Sequence, residues 1–148
     1  MSSSLLDELS TSRQLLAAVL TIADGERPAR VGAWSVRDIA AHLAAAERDC
    51  FGPRIRAMAA GEQPHFDYFT NDDSDFSGQQ LATALEEWAK ERESLLEFVR
   101  GLSEEERRRT GIHERYGVLS VDDYLAIALD HDREHLAAVE RKAVQPGR

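Results

Sequence analysis

Three histidines in this chain are spaced so that they could share one metal ion. In the run Asp130-His131-Asp132-Arg133-Glu134-His135-Leu136 two imidazoles lie four residues apart. On a helix that spacing separates them by about 40° around the axis and about 6 Å along it, so both reach one point. They fall three and seven residues after Ala128, on the apolar side of the stretch. A buried polar ring without a partner costs about 1–3 kcal/mol, and either a carboxylate partner or a shared ion removes that cost. His42 lies about 60° from Ile39 and about 40° from Ala46 around an earlier helical stretch, so it too is aimed inward. Core histidines bonded to carboxylates would explain the pair alone. Three inward histidines, of five in the chain, bring the metal reading level with that one. Three neutral imidazoles with an open fourth position form the ligand set of a reactive zinc-type site.

Other groups are weaker candidates. Asp49 and Tyr124 each stand seven residues from a histidine of the set, about 10 Å along the axis, too far to ligate but able to line a pocket. Asp38 could support His42, yet it is already explained as a capping residue after Ser35. Cys50 falls on a buried stripe and reads as packing rather than as a nucleophile. The acidic segment Asn71-Asp72-Asp73-Ser74-Asp75-Phe76-Ser77-Gly78 invites a calcium reading. Aligning Gly78 with the sixth position of an EF-hand loop puts Ala84 where a bidentate Glu is required, which rejects it. His65 and His113 read as surface or turn residues.

Four helical stretches must position these groups. The first runs from about Ser4 to Ala23, burying Leu5, Leu9, Leu16, Val19 and Ala23, and stops at Gly25 before Pro28. The second runs from Ser35 to near Gly61 with Ile39, Leu43, Ala46 and Cys50 inward, and Gly52-Pro53 should bend or interrupt it. The third spans Ser77 to Arg100 with Leu81, Leu85, Trp88, Leu95 and Val99 inward and Gly101 as its cap. A short turn follows from Ser103, where Glu106 completes a capping box. The fourth spans Ser120 to Ala143, with Val121, Leu125, Ala128, His135 and Val139 on one stripe. Nothing between them reads as a strand of useful length. The expected fold is therefore an all-α four-helix bundle. The long link from Glu62 to Phe76 favours a crossover connection between helices two and three, and it could lie over one end of the bundle as a lid.

At 148 residues the chain is expected to form a single domain, 1–148, able to bury its own core. A net charge of −9 opposes attraction to phosphate backbones, so nucleic acid is not the expected partner. The absence of a basic, apolar leader and of any long apolar run points away from export and from a membrane. One cysteine excludes an internal disulfide and suits a reducing, cytoplasmic setting.

Two blocks carry a family resemblance: Trp34-Ser35-Val36-Arg37-Asp38-Ile39-Ala40-Ala41-His42-Leu43, and Gly117-Val118-Leu119-Ser120-Val121-Asp122-Asp123-Tyr124 leading into His131-Asp132-Arg133-Glu134-His135-Leu136. Together they resemble the DinB/YfiT-like superfamily of metal-binding four-helix bundles. The resemblance covers nearly the whole chain. It implies a bundle with a crossover and a divalent metal ion, zinc or nickel, bound by His42, His131 and His135. It also implies a small-molecule substrate, since characterised relatives transfer or isomerise with low-molecular-weight thiols. The expected function is thus a metal-dependent enzyme performing thiol transfer to a small electrophile or metal-assisted hydrolysis. The alternatives are a non-catalytic metal-binding structural or sensing protein, and a bundle serving a protein partner. Relatives suggest a homodimer, which no heptad or exposed stripe here specifies. No general base can be named beyond Asp49.

Overall fold

A computed structural model describes residues 2–26, 30–31, 34–71, 74–76 and 78–143. Helix α1 spans Ser2–Glu26, so it continues through Gly25 rather than stopping there. A two-residue antiparallel pair, β1 (Arg30–Val31) and β2 (Trp34–Ser35), leads into α2 (Val36–Ala46). Ser35 starts α2 through a capping box: its Oγ accepts the Asp38 amide and the Asp38 carboxylate accepts the Ser35 amide. The second rod then takes one π-helical turn, Glu47–Phe51, and continues as α3, Gly52–Ala59. Gly52-Pro53 therefore does not break the rod. Pro53 falls in the first turn of α3, and the wider turn before it absorbs the change of spacing. The third rod, α4, is Leu81–Arg100; its expected start at Ser77 lies outside the described residues. A short α5 (Glu104–Arg107) carries the expected Ser103 and Glu106 box. The fourth rod, α6, is Val121–Ala143, and Ser120 and Asp123 exchange the same pair of bonds at its start.

The core contacts give the rods their directions. Leu16, Leu20 and Ala23 of α1 cluster with Val36 to Ala44 of α2, Ala84 and Trp88 of α4, and Val139 of α6. At the other end Leu6 and Leu9 meet Ile55, Leu95, Val99 and Leu125. Hence α1 and α6 run one way, and α2–α3 and α4 run the other. Rods two and three are parallel neighbours, so the chain must return the length of the bundle between them. Residues 60–80 make that crossover.

The crossover also corrects the strand-free expectation. It contributes β3 (His65–Phe66), which pairs in parallel with β4 (Thr110–His113), and β4 forms a hairpin with β5 (Gly117–Ser120). The hairpin turns at Glu114–Tyr116 into Gly117 at φ +77°, a conformation glycine adopts without strain. Two four-residue strands carry too little alternation to stand out beside long helical periods. Gly111 in β4 is there for space: a Cβ would lie 2.7 Å from Phe66 Cε2 and 3.0 Å from Met58 Sδ. Gly111→Ala is expected to cost about 1–3 kcal/mol by overpacking, read from the urea midpoint.

Between the two apolar clusters lies one polar layer that ties all four rods together. Arg92 of α4 is 1% exposed and uses all five of its N–H groups. It bonds Glu47 through Nε (2.8 Å) and Nη2 (3.0 Å), Asp132 through Nη1 (2.8 Å) and Nη2 (3.1 Å), and the Leu9 carbonyl through Nη1 (2.9 Å). Ser12 donates to Asp132, and the Trp88 indole donates to Glu47. The π-turn begins at Glu47, so the irregular turn and the buried carboxylate occur together. Burial opposes the Arg92 charge, but Glu47 and Asp132 outweigh it and raise the affinity of the guanidinium for its proton.

Candidate metal centre

The histidines sit beside that polar layer. His42 on α2 is 7% exposed, and it faces His131 and His135 across the antiparallel α2–α6 contact. Ring centroids are 5.2 Å apart for His42 and His131, 4.9 Å for His42 and His135, and 4.6 Å for His131 and His135. One nitrogen from each lies within 4.8 Å of the other two. All three histidines named from the sequence are thus brought together. Aromatic rings fix their tilt: Trp34 packs on His42 at 4.7 Å between centroids and Phe51 on His131 at 5.7 Å.

Two observations bear on whether these residues suit an ion. The Nε2 atoms of His42 and His131 are 3.3 Å apart. Tetrahedral zinc with Zn–N of about 2.0–2.1 Å requires ligand nitrogens about 3.3–3.4 Å apart. The second observation is Asn71, whose Oδ1 lies 2.5 Å from His42 Nδ1. A carbonyl oxygen accepts, so Nδ1 carries the proton and His42 Nε2 presents its lone pair to the cluster. Among the described residues the buried amide Nδ2 of Asn71 has no hydrogen-bond partner, which makes the contact to His42 its polar anchor. On the other helix, His131 is held down at about 4 by burial first, then by neighbouring His42 and by Arg92. It is therefore neutral at ordinary pH, the form a metal accepts. The donor set fits a borderline divalent ion.

A cavity of about 290 Å³ opens from the triad. Its walls come from α2, the π-turn, α3, α6, the crossover and the hairpin, so the small sheet closes the end of a site that the helices begin. Tyr68, Phe69 and Thr70 of the crossover line it. Tyr124 also lines it, as does Cys50, whose thiol is raised by burial and lies 3.5 Å from the Tyr124 hydroxyl. Burial raises Tyr124 as well, with the Cys50 contact adding to it, so its hydroxyl stays protonated.

Asp49 does not belong to the site. It is exposed, pairs with Arg48 at 2.8 Å and is not among the cavity walls. The π-turn is the reason, because the seven-residue spacing from His42 assumed an unbroken α-helix. His65 is exposed on β3. His113, read as a turn residue, is 4% exposed and lines the cavity. Arg54 and Glu134 line it too, and sequence reasoning passed over both. Glu134 was legible, since it lies between the two histidines of α6. Asn71 was seen only as part of an acidic segment, of which Asp72, Asp73 and Ser77 lie outside the described residues.

Comparison with known proteins supports the fold. Among solved structures the chain resembles YfiT from Bacillus subtilis, described as a probable metal-dependent hydrolase with an unusual four-helix bundle topology. The TM-score is 0.73 at 18% identity, over 95% of this chain and 82% of that one. Comparison with curated proteins yields no sequence match. The sequence pattern of the DinB superfamily matches residues 4–139, which takes in all four rods and the three histidines. By that match the chain belongs to the DinB superfamily.

Proposed function

We propose that this chain is a metal-dependent enzyme in which His42, His131 and His135 hold a divalent ion, zinc or nickel, and that it acts on a small molecule. The observation that carries this reading is the convergence of three ligand nitrogens within 4.8 Å at the wall of a cavity. A storage or structural site has no need of such a cavity. Bound at three imidazoles with a position left open, the ion would act as a Lewis acid, making hydroxide or thiolate available near neutral pH. That chemistry serves hydrolysis, the activity suggested for YfiT, and equally the transfer of a low-molecular-weight thiol to a small electrophile. The protein's own residues would do the rest. Asn71 holds the His42 tautomer, Trp34 and Phe51 exclude water from two of the rings, and Glu134 stands at the exposed edge of the cavity as a proton acceptor. We further place the chain in the cytoplasm, as one domain, with its single thiol reduced; no described helix is long and apolar enough to cross a membrane.

The test begins with the metal content of untagged protein. Stripping and then restoring the ion should abolish and then restore turnover on a panel of thiol–electrophile pairs and of esters and amides. An untagged protein that neither retains nor takes up any divalent ion would overturn the reading. Recovery of stability without turnover on either class of substrate would instead indicate a structural or sensing site.

Asn71 offers a separate check on the same site. Partners of this kind are worth about 10–100-fold in metal affinity. Asn71→Ala is expected to lose that factor in a cobalt titration, whereas Asn71→Asp, which keeps an acceptor for His42 Nδ1, should retain most of it.

A further inference from the structure

Arg54 is the feature of the cavity that the metal reading leaves unused. It projects from α3 into the cavity wall, half-buried, with its guanidinium 4.8 Å over the Phe66 ring. Its one hydrogen bond among the described residues runs from Nη1 to the Tyr124 hydroxyl at 2.9 Å. No carboxylate pairs with it there, although the chain carries 27 acidic against 18 basic residues. The fully buried arginines are matched by carboxylates, Arg92 by Glu47 and Asp132 and Arg107 by Asp122, while the half-buried Arg56 and Arg109 bond Ser94 and the Ala59 carbonyl and line no part of this cavity. A guanidinium that lines a cavity and has N–H groups left over is suited to a planar oxyanion, which it can grip through two parallel bonds.

Two neighbours extend the donor set. His113 Nδ1 accepts the backbone amides of Arg115 at 3.0 Å and Tyr116 at 3.3 Å, so the ring's proton is on Nε2. Burial first, and then the Arg54 charge, lower the proton affinity of His113 and keep the ring neutral, a donor without a charge to be matched. The Tyr124 oxygen accepts from Arg54, and its hydroxyl, kept protonated by burial, meets only the weak sulfur acceptor of Cys50 at 3.5 Å, which an oxyanion can displace. Among the described lining residues Glu134, which is exposed, is the one carboxylate and Arg54 the one guanidinium, so an anion is drawn to Arg54.

We propose that Arg54, with His113 Nε2–H and the Tyr124 hydroxyl, forms an oxyanion subsite, and that the substrate is a small molecule bearing a carboxylate. The inference rests on the reading of this cavity as the substrate site. Because Arg54 and the histidines line the same space, the carboxylate is held on the protein while the reacting group faces the triad. A volume of about 290 Å³ is at the small end for ligand pockets, which run from about 300 to 1,000 Å³, so the substrate is compact. Tyr68 and Tyr116 in the wall favour a planar or unsaturated body.

The test uses benzoate and its neutral isostere benzamide on the full-length protein, by calorimetry. Benzoate should bind saturably, with a dissociation constant in the millimolar range or tighter, and benzamide at least tenfold more weakly. Arg54→Gln should remove that preference, while Arg54→Lys, which keeps the charge but not the fork, should fall between and guards against a simple loss of fold. His42→Ala separates the two readings, because benzoate held by Arg54 persists when a histidine of the triad is gone and benzoate held only by an ion does not. Cobalt titration of Arg54→Gln should match the wild type. Equal binding of benzoate and benzamide, benzoate binding untouched by Arg54→Gln, or no saturable binding of benzoate would overturn the subsite. Failure of the wild type to bind cobalt, with Arg54-dependent benzoate binding intact, would sink the metalloenzyme reading and leave the subsite standing.

Discussion

Replacing His135 by Ala is expected to weaken cobalt or zinc binding by about a hundredfold or more while helical circular dichroism stays close to that of the wild type. One of three ligands is lost, whereas the apolar stripe of α6 keeps Val121, Leu125, Ala128 and Val139, each no more than 1% exposed. His131→Ala should do the same to metal binding, with a second signature in pH. An ordinary histidine takes up its proton near 6.5, but His131 does so only at about 4, because of burial, His42 and Arg92. Between those values the unfolded chain holds more protons than the folded one, so metal-free protein loses stability as pH falls through that window. The difference corresponds to about 3 kcal/mol. Urea midpoints taken from pH 7 to pH 4 with chelator present should therefore fall less steeply in His131→Asn than in the wild type. A mutant with unchanged metal affinity would show that the three rings meet without serving as ligands.

The largest loss of stability should follow Arg92→Leu. That substitution leaves Glu47 and Asp132, each 1% exposed, as buried carboxylates without their cation, and breaking such a pair typically costs about 3–5 kcal/mol. It also removes the Arg92 donor from the Leu9 carbonyl, leaving that oxygen the Ser12 hydroxyl at 3.2 Å. Because the guanidinium joins α4 to α1, the π-turn and α6, the damage should reach the metal centre, where Asp132 adjoins His131 in sequence. Replacing Arg92, Glu47 and Asp132 together by Met or Leu should restore much of the stability, since an apolar layer carries no unpaired charge. Urea denaturation of the single and triple variants decides the matter. A single variant within about 1 kcal/mol of the wild type would show that the layer contributes little, and a triple variant worse than the single would place its value in the ion pairs themselves.

The helical part of this fold was legible because each rod announces itself locally. Ser35 with Asp38, and Ser103 with Glu106, are short-range capping signals, and the apolar periods of α1, α4 and α6 survive any change in the rest of the chain. The histidines were legible for the same reason: a four-residue spacing on a helix determines that two rings share a face, whatever they then meet. The crossover followed from the length of the link. What the sequence could not determine was whatever depends on contacts between distant segments. The π-turn at Glu47–Phe51 has no local signature, yet it turns Asp49 out to solvent. Nothing near Arg92 in the sequence names its partners, and only the meeting of four rods supplied the two carboxylates that let it be buried. Asn71 reaches His42 because the crossover, returning along the bundle, passes the triad, and Arg54 and His113 meet in one cavity because a small sheet spans crossover and hairpin. Periodicity gives the direction of a side chain relative to its own helix; which groups share a cavity is set by tertiary packing, and the donors facing the three histidines were decided there.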